Sequence, residues 1–292
     1  MNKVSLITVA VILFSSSVYG QQPATEILLS MINNVKSHQT VQVDQVSISK
    51  NPFSSGDTIV AKITSQLKYD GLGNLKSANE VTTVNGNQSM FREVLTGDSV
   101  YTFDLLDSTY TIKDIKSRDF APGLTFIRDL FTEQLTKNPS KIVSKADTLI
   151  GKLTCYHIMI NSHDTVINRS RNYTHHHLLI DKATLNPVYY KEVGEGVIEK
   201  SGYVIGRLQI FNESRFSNYI INDKISSSAF SIDRSGFSEP NKAMLALGTQ
   251  APRLELKTLS KDVVAQSTLS NKLLLLEFGA TACAANPLAN PC

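Results

Sequence analysis

Alternation of apolar and polar residues dominates the chain from position 21 to about 238, and this pattern predicts a unit rich in β-strands. The stretch "DTIVAKITSQLKYDG" alternates and then ends in a glycine turn. The stretches "SVYTFDLLDSTYTIKDI" and "HHHLLIDKATLNPVYYKEV" each predict a hairpin, with turns near Asp107 and between Asp181 and Pro187. A further strand pair is predicted in "YVIGRLQIFNESRFSNYIIN".

Two segments have helical spacing instead, namely Ala24 to Lys36 and Thr125 to Leu135. Pro139 marks the end of the second segment. The apolar positions on one side of each are Ile27, Leu28, Met31, Ile32 and Val35 in the first, and Phe126, Ile127, Leu130, Phe131 and Leu135 in the second. Many antiparallel strands with two helices predict an α+β fold, a curved antiparallel sheet covered on one face.

The N-terminus predicts export. Lys3 precedes an apolar run from Val4 to Phe14, and a polar stretch follows that ends in Val18-Tyr19-Gly20. This order predicts a signal peptide over residues 1–20, with cleavage before Gln21. The apolar run is about half the roughly 20 residues that span a bilayer, so no stable membrane span is predicted. We therefore expect a periplasmic or secreted protein of the cell envelope.

Composition narrows the classes of function. The chain has 292 residues, of which 41% are hydrophobic and 19% are charged, as in an ordinary globular protein. Its net charge of +3 includes no basic cluster, so nucleic-acid binding is not expected. The sequence has no glycine-rich phosphate loop, no G-x-S-x-G elbow and no H-E-x-x-H motif, and no cofactor is predicted.

The composition of the sequence changes near "SGFSEPNKAMLALGTQAP", where Ser, Gly and Pro cluster. This change predicts a first domain over residues 21–238, a linker over 239–247 and a second unit over 248–292. In the second unit, the run from Leu273 to Phe278 predicts a buried strand that leads to Cys283 at the start of a helix. A helix N-terminus favours the thiolate, which is the nucleophilic form of cysteine.

Residues 21–238 resemble the periplasmic lipoprotein-carrier fold, the LolA-like half-barrel. The resemblance covers about 210 residues and comes from one helix before the first strands, the hairpin "DSTYTI" and the element "LLIDKATLNPVYYK". It implies a concave apolar sheet face that could hold a lipid or an acyl chain as an apolar ligand.

The segment 248–292 resembles the exported thioredoxin-fold redoxins, of the TlpA/ResA-like branch and the alkyl hydroperoxide reductase and thiol-specific antioxidant group. The stretches "GTQAPRLEL" and "LSNKLLLLEFGATAC" carry the resemblance. It implies an incomplete α/β thioredoxin-like fold after the sheet domain, truncated at its C-terminus. It also implies a thiol-disulfide oxidoreductase with Cys283 as nucleophile, whose partners are protein thiols or disulfides or an external thiol reductant.

The chain departs from the redoxin pattern at the site itself. Asn286 stands where the second cysteine is usual, so the site reads "CAAN", and glycine and alanine replace two tryptophans at Gly279 and Ala282. Two hypotheses follow. The first is an exported redoxin with a degenerate site that acts as an oxidoreductase or antioxidant. The second is a non-enzymatic periplasmic protein that binds an apolar ligand or a partner and carries a relic module.

Two other candidates have a simpler structural interpretation. Cys155 lies in a predicted strand and is expected to be a buried, inert thiol. In the triplet from His175 to His177, only the outer two residues would share a face of a strand. No carboxylate or cysteine cluster lies near them in the sequence, so no metal site is predicted. The three cysteines of the chain do not make a disulfide scaffold.

Overall fold

A computed structural model describes residues 22–52, 58–115, 120–167, 169–200, 203–240, 255–257 and 263–265. The helices are α1 (Ala24–Ser37) and α2 (Gly123–Lys137). The strands are β1 (Thr40–Lys50), β2 (Thr58–Tyr69), β3 (Leu75–Val84), β4 (Ser89–Thr96), β5 (Ser99–Asp104), β6 (Thr109–Asp114), β7 (Ile142–Ile150), β8 (Leu153–Ile167), β9 (Ser170–Asp181), β10 (Pro187–Lys200), β11 (Tyr203–Ile221), β12 (Glu255–Lys257) and β13 (Val263–Ala265).

The first eleven strands form one open antiparallel sheet in the order β6-β5-β4-β3-β2-β1-β11-β10-β9-β8-β7. Strands β1 to β6 form one meander and β7 to β11 another, and the two meanders join where β1 pairs with β11. The connection through α2 runs from the strand at one edge, β6, to the strand at the other, β7. The sheet and its two helices agree with the architecture predicted for residues 21–238. The strand pair predicted in "YVIGRLQIFNESRFSNYIIN" is wrong, because Tyr203–Ile221 form the single strand β11, which pairs with β1 and β10.

Helix α1 forms because its apolar residues recur at helical spacing and all reach the core. It begins after Pro23, has Glu26 in its first turn and Lys36 in its last, and this charge order suits the helix dipole. The residues predicted for its apolar face are at most 2% exposed, namely Ile27, Leu28, Met31, Ile32 and Val35. The prediction for α1 is confirmed.

Helix α2 differs from the prediction on one side. It begins after Pro122, and Ile127 and Phe131 are buried as expected. Phe126 was assigned to the apolar face, but it is 43% exposed. Arg128 is buried instead, where its guanidinium donates to the carbonyl of Gly73 and lies over the ring of Tyr69. Apolar spacing alone could not show that a tyrosine and a loop carbonyl would hold an arginine at that position.

Both helices pack on the same face of the sheet, which we call the helix face. Alternate strand residues point to it and form one core with the helices. The buried strand residues on this face include Val41, Leu67, Ala78, Leu95, Ile158, Leu178, Tyr190 and Phe216. This burial of one face against helices is what sets the register of the central strands.

The opposite face, which we call the outer face, is partly covered by the chain that follows β11. There Phe103 and Tyr110 pack with Phe237, and the Phe103 and Phe237 ring centroids are 5.0 Å apart. The backbone N–H of Ser238 donates to the carbonyl of Ser108 at 3.0 Å. The edge strand β6 is thus shielded on its outer side.

The predicted fold class is wrong in its second part. The described residues of 248–292 form a two-stranded antiparallel sheet of β12 and β13, and within them no parallel strand flanked by helices is present. A thioredoxin-like α/β fold requires such strands. The predicted strand Leu273–Phe278 and Cys283 lie outside the described residues. The boundaries at 238 and 248 stay a prediction.

Neither helix of the described residues is long and apolar enough to cross a membrane.

Candidate ligand-binding surfaces

The helices cover only one end of the helix face. Along β2, Leu67 and Ser65 are buried, Ile63 is half-buried and Ile59 is 44% exposed. Strand β11 shows the same gradient, because Phe216 is buried whereas Ile210 is half-buried. We call the exposed end of this face the open half, and its large apolar residues are Ile59, Ile63, Val84, Phe91, Ile198, Leu208 and Ile210.

A row of polar side chains separates the covered core from the open half. Ser65, Glu80, Glu93 and Thr102 lie opposite one another on the consecutive strands β2 to β5. Ser65 donates to Glu80, and Thr102 donates to Glu93 at 3.0 Å. Burial raises the pKa of Glu80 to about 7, and the negative charge of Glu93 adds to the rise.

Three glycines lie on the helix face beside the open half. Gly194 and Gly196 on β10 and Gly206 on β11 belong to the helix face by register, since Gly194 follows Tyr190 at even spacing and Gly206 lies opposite Ile198. A Cβ atom at Gly194 would lie 2.6 Å from the carbonyl oxygen of Tyr173, so no larger residue fits there. The neighbouring side chains of Ile210, Leu208 and Ile198 lie beside Gly194, Gly196 and Gly206, respectively.

His176 faces the helix side and forms a buried network beside this area. Its Nε2 is 3.0 Å from the hydroxyl of Ser162, and its Nδ1 is 2.9 Å from the hydroxyl of Tyr190. All hydrogens are satisfied when Tyr190 donates to Nδ1, Nε2–H donates to Ser162, and Ser162 donates to the carbonyl of Thr174 at 3.2 Å. In that arrangement the imidazole donates to Ser162 and does not take its proton.

The outer face carries a groove across strands β7 to β11 and β1. One cavity, of about 230 Å³, is lined by Thr148, His157, His177, Leu179, Tyr189, Lys191 and Val193. A second, of about 270 Å³, is lined by Lys50, Asn51, Tyr173, Val193, Gly194, Glu195, Gln209, Ile210 and Phe211. Gly194 and Ile210 belong to the helix face by register, and the other strand residues of this lining belong to the outer face. Because Val193 lines both, we treat the two cavities as one surface and call it the outer groove.

Two histidines at the end of the outer groove are hydrogen-bonded to each other. His157 Nε2 and His177 Nδ1 are 3.0 Å apart, while the ring centroids are 5.3 Å apart. The difference is about the two ring radii together, so the nitrogens point straight at each other instead of converging on a common ion. Burial lowers the pKa of both imidazoles, that of His177 to about 4.

The structure places the histidine triplet as the sequence predicts. His175 and His177 lie on the outer face and His176 on the helix face. Within the residues that the structure describes, no three His, Cys, Asp or Glu side chains form a group that could hold a metal ion. The contribution of His157 was missed, because it depends on the register between two strands.

Cys155 is buried, as predicted. It is 0% exposed and packs with Leu179 and Val188 on the outer face. Burial raises the pKa of its thiol, and the charge of Asp181 adds to this. Cys283 lies outside the described residues, so its role as a nucleophile stays a prediction of the sequence.

We expect the Cys155 thiol to be unreactive in the folded protein because it is inaccessible and its thiolate is disfavoured. Iodoacetamide labelling with peptide mapping, at neutral pH with and without denaturant, measures this. Labelling of Cys155 should require unfolding, and its labelling in denaturant shows that the reagent is active. Equal labelling of Cys155 with and without denaturant would contradict its burial.

Comparison with known proteins gives structural likenesses at low identity. No protein-family model matches the sequence, and no curated protein matches it significantly. LprF from Mycobacterium bovis is 14% identical, with a TM-score of 0.41 over 70% of this chain and 94% of its own. The Mycobacterium tuberculosis lipoprotein LppX is 14% identical, with a TM-score of 0.39 over 70% and 97%. A LolA superfamily protein from Nitrosomonas europaea is 9% identical, with a TM-score of 0.32 over 70% and 97%.

At these scores the likenesses carry no argument about what this chain binds, and the fold given above rests on the chain's own strand pairing. The identification as a thioredoxin-fold redoxin is nevertheless wrong. No thioredoxin-fold redoxin was found among the similar structures, and the described part of 248–292 is only an antiparallel hairpin. The oxidoreductase and antioxidant function and the thiol partners inferred from that resemblance are withdrawn with it.

Proposed function

We propose that this protein is a non-enzymatic protein of the cell envelope that binds an apolar ligand on the open half of the helix face. The observation that carries the proposal is the gradient of exposure along that face, which leaves Ile59, Ile63 and Leu208 partly exposed next to a continuous core. Patches of exposed apolar residues mark binding sites. Here the apolar residues of β2 and β11 lie on either side of Ser47 and Ser49 of β1. The export signal expected from residues 1–20 supports the envelope location.

An extended chain of methylene groups fits this surface chemically. Each methylene removed from water contributes about 0.8 kcal/mol, so an acyl chain gains affinity with every carbon that contacts the sheet. The side chains of Ile198, Leu208 and Ile210, which lie beside the glycines of β10 and β11, give such a chain an apolar surface. Phe126, in the first turn of α2, is 43% exposed, packs edge-on against Tyr190 and provides an aromatic wall for the ligand.

The polar row would limit how far the ligand reaches. Ser65, Glu80, Glu93 and Thr102 lie between the open half and the filled core, in which Leu67 and Leu95 are 0% exposed. An apolar chain gains nothing by displacing these hydrogen-bonded groups. A hydroxyl or amide head group could bind them instead, so the favoured ligand is an apolar chain with an uncharged polar end.

We expect Ile63→Asp to weaken the binding of a neutral apolar probe about tenfold or more, because it places a charge in the centre of the open half. Fluorescence titration with N-phenylnaphthylamine, followed by displacement with a long-chain monoacylglycerol, measures the effect. Val46→Asp is the matched control, since Val46 is 37% exposed on the outer face.

The two variants should be compared only after circular dichroism shows that both are folded. Equal loss of affinity in both, or probe binding that Ile63→Asp leaves unchanged, would rule out the open half as the binding site. Extraction of the purified protein with organic solvent and mass spectrometry would then identify the ligand that it carries.

A further inference from the structure

Two lysines meet over one aromatic ring in the outer groove. The ammonium nitrogens of Lys50 and Lys191 lie 5.0 Å and 5.3 Å from the centroid of the Phe211 ring. They come from β1 and β10, the two neighbours of the strand that carries Phe211. Within the part of the chain that the structure describes, neither lysine forms an ion pair with a carboxylate. Among the described residues, two positive charges therefore line this groove and lie over one ring face.

Nearby carboxylates do not neutralise the Lys191 end of the groove. Glu213, which lies opposite Lys191, accepts a hydrogen bond from Arg215 Nε at 2.9 Å. Glu195 lines the other cavity, beside Tyr173 and Gln209. The charges of Lys191 and Lys145 add to the effect of burial and lower the pKa of His177, whereas burial and the charge of Glu213 raise that of Tyr189 on the cavity wall. Lys191 and Arg215 together outweigh the single charge of Glu213. The cavity around Lys191 is thus electropositive.

The remaining walls of that cavity are apolar or aromatic. Leu179, Tyr189 and Val193 line it, and the hydrogen-bonded pair of His157 and His177 forms its end. Its volume of about 230 Å³ lies below the roughly 300 to 1,000 Å³ of sites for drug-sized ligands. The cavity therefore suits a small molecule with a compact apolar body.

We propose that the outer groove binds a small carboxylate with an aliphatic or aromatic body. The carboxylate accepts a charge-assisted hydrogen bond from the Lys191 ammonium, and the body lies against Leu179, Tyr189 and Val193. Lys50 adds attraction from the other side of Phe211. This site is on the opposite face of the sheet from the open half, so it goes beyond the proposed function and does not depend on it.

Titration of the full-length protein with three six-carbon probes tests the ligand class. Hexanoate should bind, whereas hexanol should bind about tenfold or more weakly because it lacks the charge, and hexylamine should not bind. Isotope-edited NMR should show shifts at Val193, Leu179 and His177. Hexylamine binding as well as hexanoate, or shifts confined to the helix face, would overturn the proposal.

Lys191→Met supplies the test of the residue, because methionine keeps an unbranched apolar side chain and removes only the charge. Hexanoate affinity should fall about tenfold or more. Lys68→Met is the matched control, since Lys68 is an exposed lysine on the far end of β2. Unchanged affinity in folded Lys191→Met would overturn the assignment.

The helix-face variant separates this site from the proposed function. Ile63→Asp should leave hexanoate affinity unchanged even if it abolishes probe binding on the open half. Val193→Trp provides a second check, because a larger side chain fills the cavity and should remove hexanoate binding while the charge of Lys191 remains. Hexanoate binding that survives in folded Val193→Trp would show that the cavity is not the site.

Discussion

Glu80→Gln is expected to raise the free energy of unfolding by about 3 kcal/mol at pH 8 and to change it little at pH 4. Burial raises the pKa of the Glu80 carboxyl from 4.5 to about 7. Each pKa unit corresponds to 1.36 kcal/mol, so ionised Glu80 costs the folded state about 3 kcal/mol. Glutamine has nearly the same shape, remains neutral and can still accept the hydrogen bond from Ser65.

The pH dependence of the native protein follows from the same group. Between pH 4.5 and about 7 the folded state holds a proton on Glu80 that the unfolded state has released, so stability falls as the pH rises through this range. Below pH 4.5 both states are protonated and the group contributes nothing. Above about pH 7 both are ionised and the destabilisation stays constant.

Urea denaturation followed by circular dichroism from pH 4 to pH 8 measures this contribution. The difference in stability between Glu80→Gln and the native protein should grow from pH 4.5 to 7 and then level off. Glu195→Gln, at an exposed position on the outer face, is the control and should stay within about 0.5 kcal/mol at each pH. A difference that is equal at pH 4 and pH 8 would show that Glu80 does not ionise in this range.

Local pattern predicted most elements of the sheet domain, but it divided the single strand β11 into a pair. Apolar spacing predicted the buried face of α1, and turn residues predicted the hairpins β5–β6 and β9–β10. The hairpin β3–β4 was also predictable, because Asn85 and Gly86 have the positive φ values of 47° and 69° that an Asn-Gly turn favours. These features depend on residues a few positions apart.

Features that depend on contacts between residues far apart in the sequence could not be predicted from local pattern. The pairing of β1 with β11 sets Asp44 opposite Ser217, and no local pattern indicates it. The outer groove depends on it too, because it brings Lys50 to Phe211. The Glu80–Glu93 pair likewise follows from the register of β3 and β4.

The incorrect identification of residues 248–292 as a redoxin also has a physical reason. An apolar run followed by small residues and a cysteine is what any buried strand with a tight turn can show. The chemistry that defines the class needs a second thiol, and Asn286 occupies its position. The redoxin identification therefore relied on hydrophobic pattern although the second thiol is absent. The described hairpin of β12 and β13 does not support that identification.

Phe131→Ala is expected to lower the free energy of unfolding by about 3 to 5 kcal/mol, the cost of emptying a large buried site. Phe131 is 0% exposed in the core and packs edge-on against Tyr190, with ring centroids 6.4 Å apart. Helix α2 is part of the connection between the two edge strands, so loosening it removes the cover of both meanders. Urea denaturation followed by far-ultraviolet circular dichroism measures the loss.

Phe126→Ala is the matched control, because Phe126 lies on the same helix and contacts the same Tyr190 ring at 6.1 Å but is 43% exposed. Its loss should be about 1 kcal/mol, the value of an aromatic pair with partial burial. If Phe131→Ala does not fold, Phe131→Leu should still fold with a loss of about 1 to 2 kcal/mol, since most of the buried volume is kept. Equal losses for Phe131→Ala and Phe126→Ala would show that α2 does not pack on the sheet through the face described here.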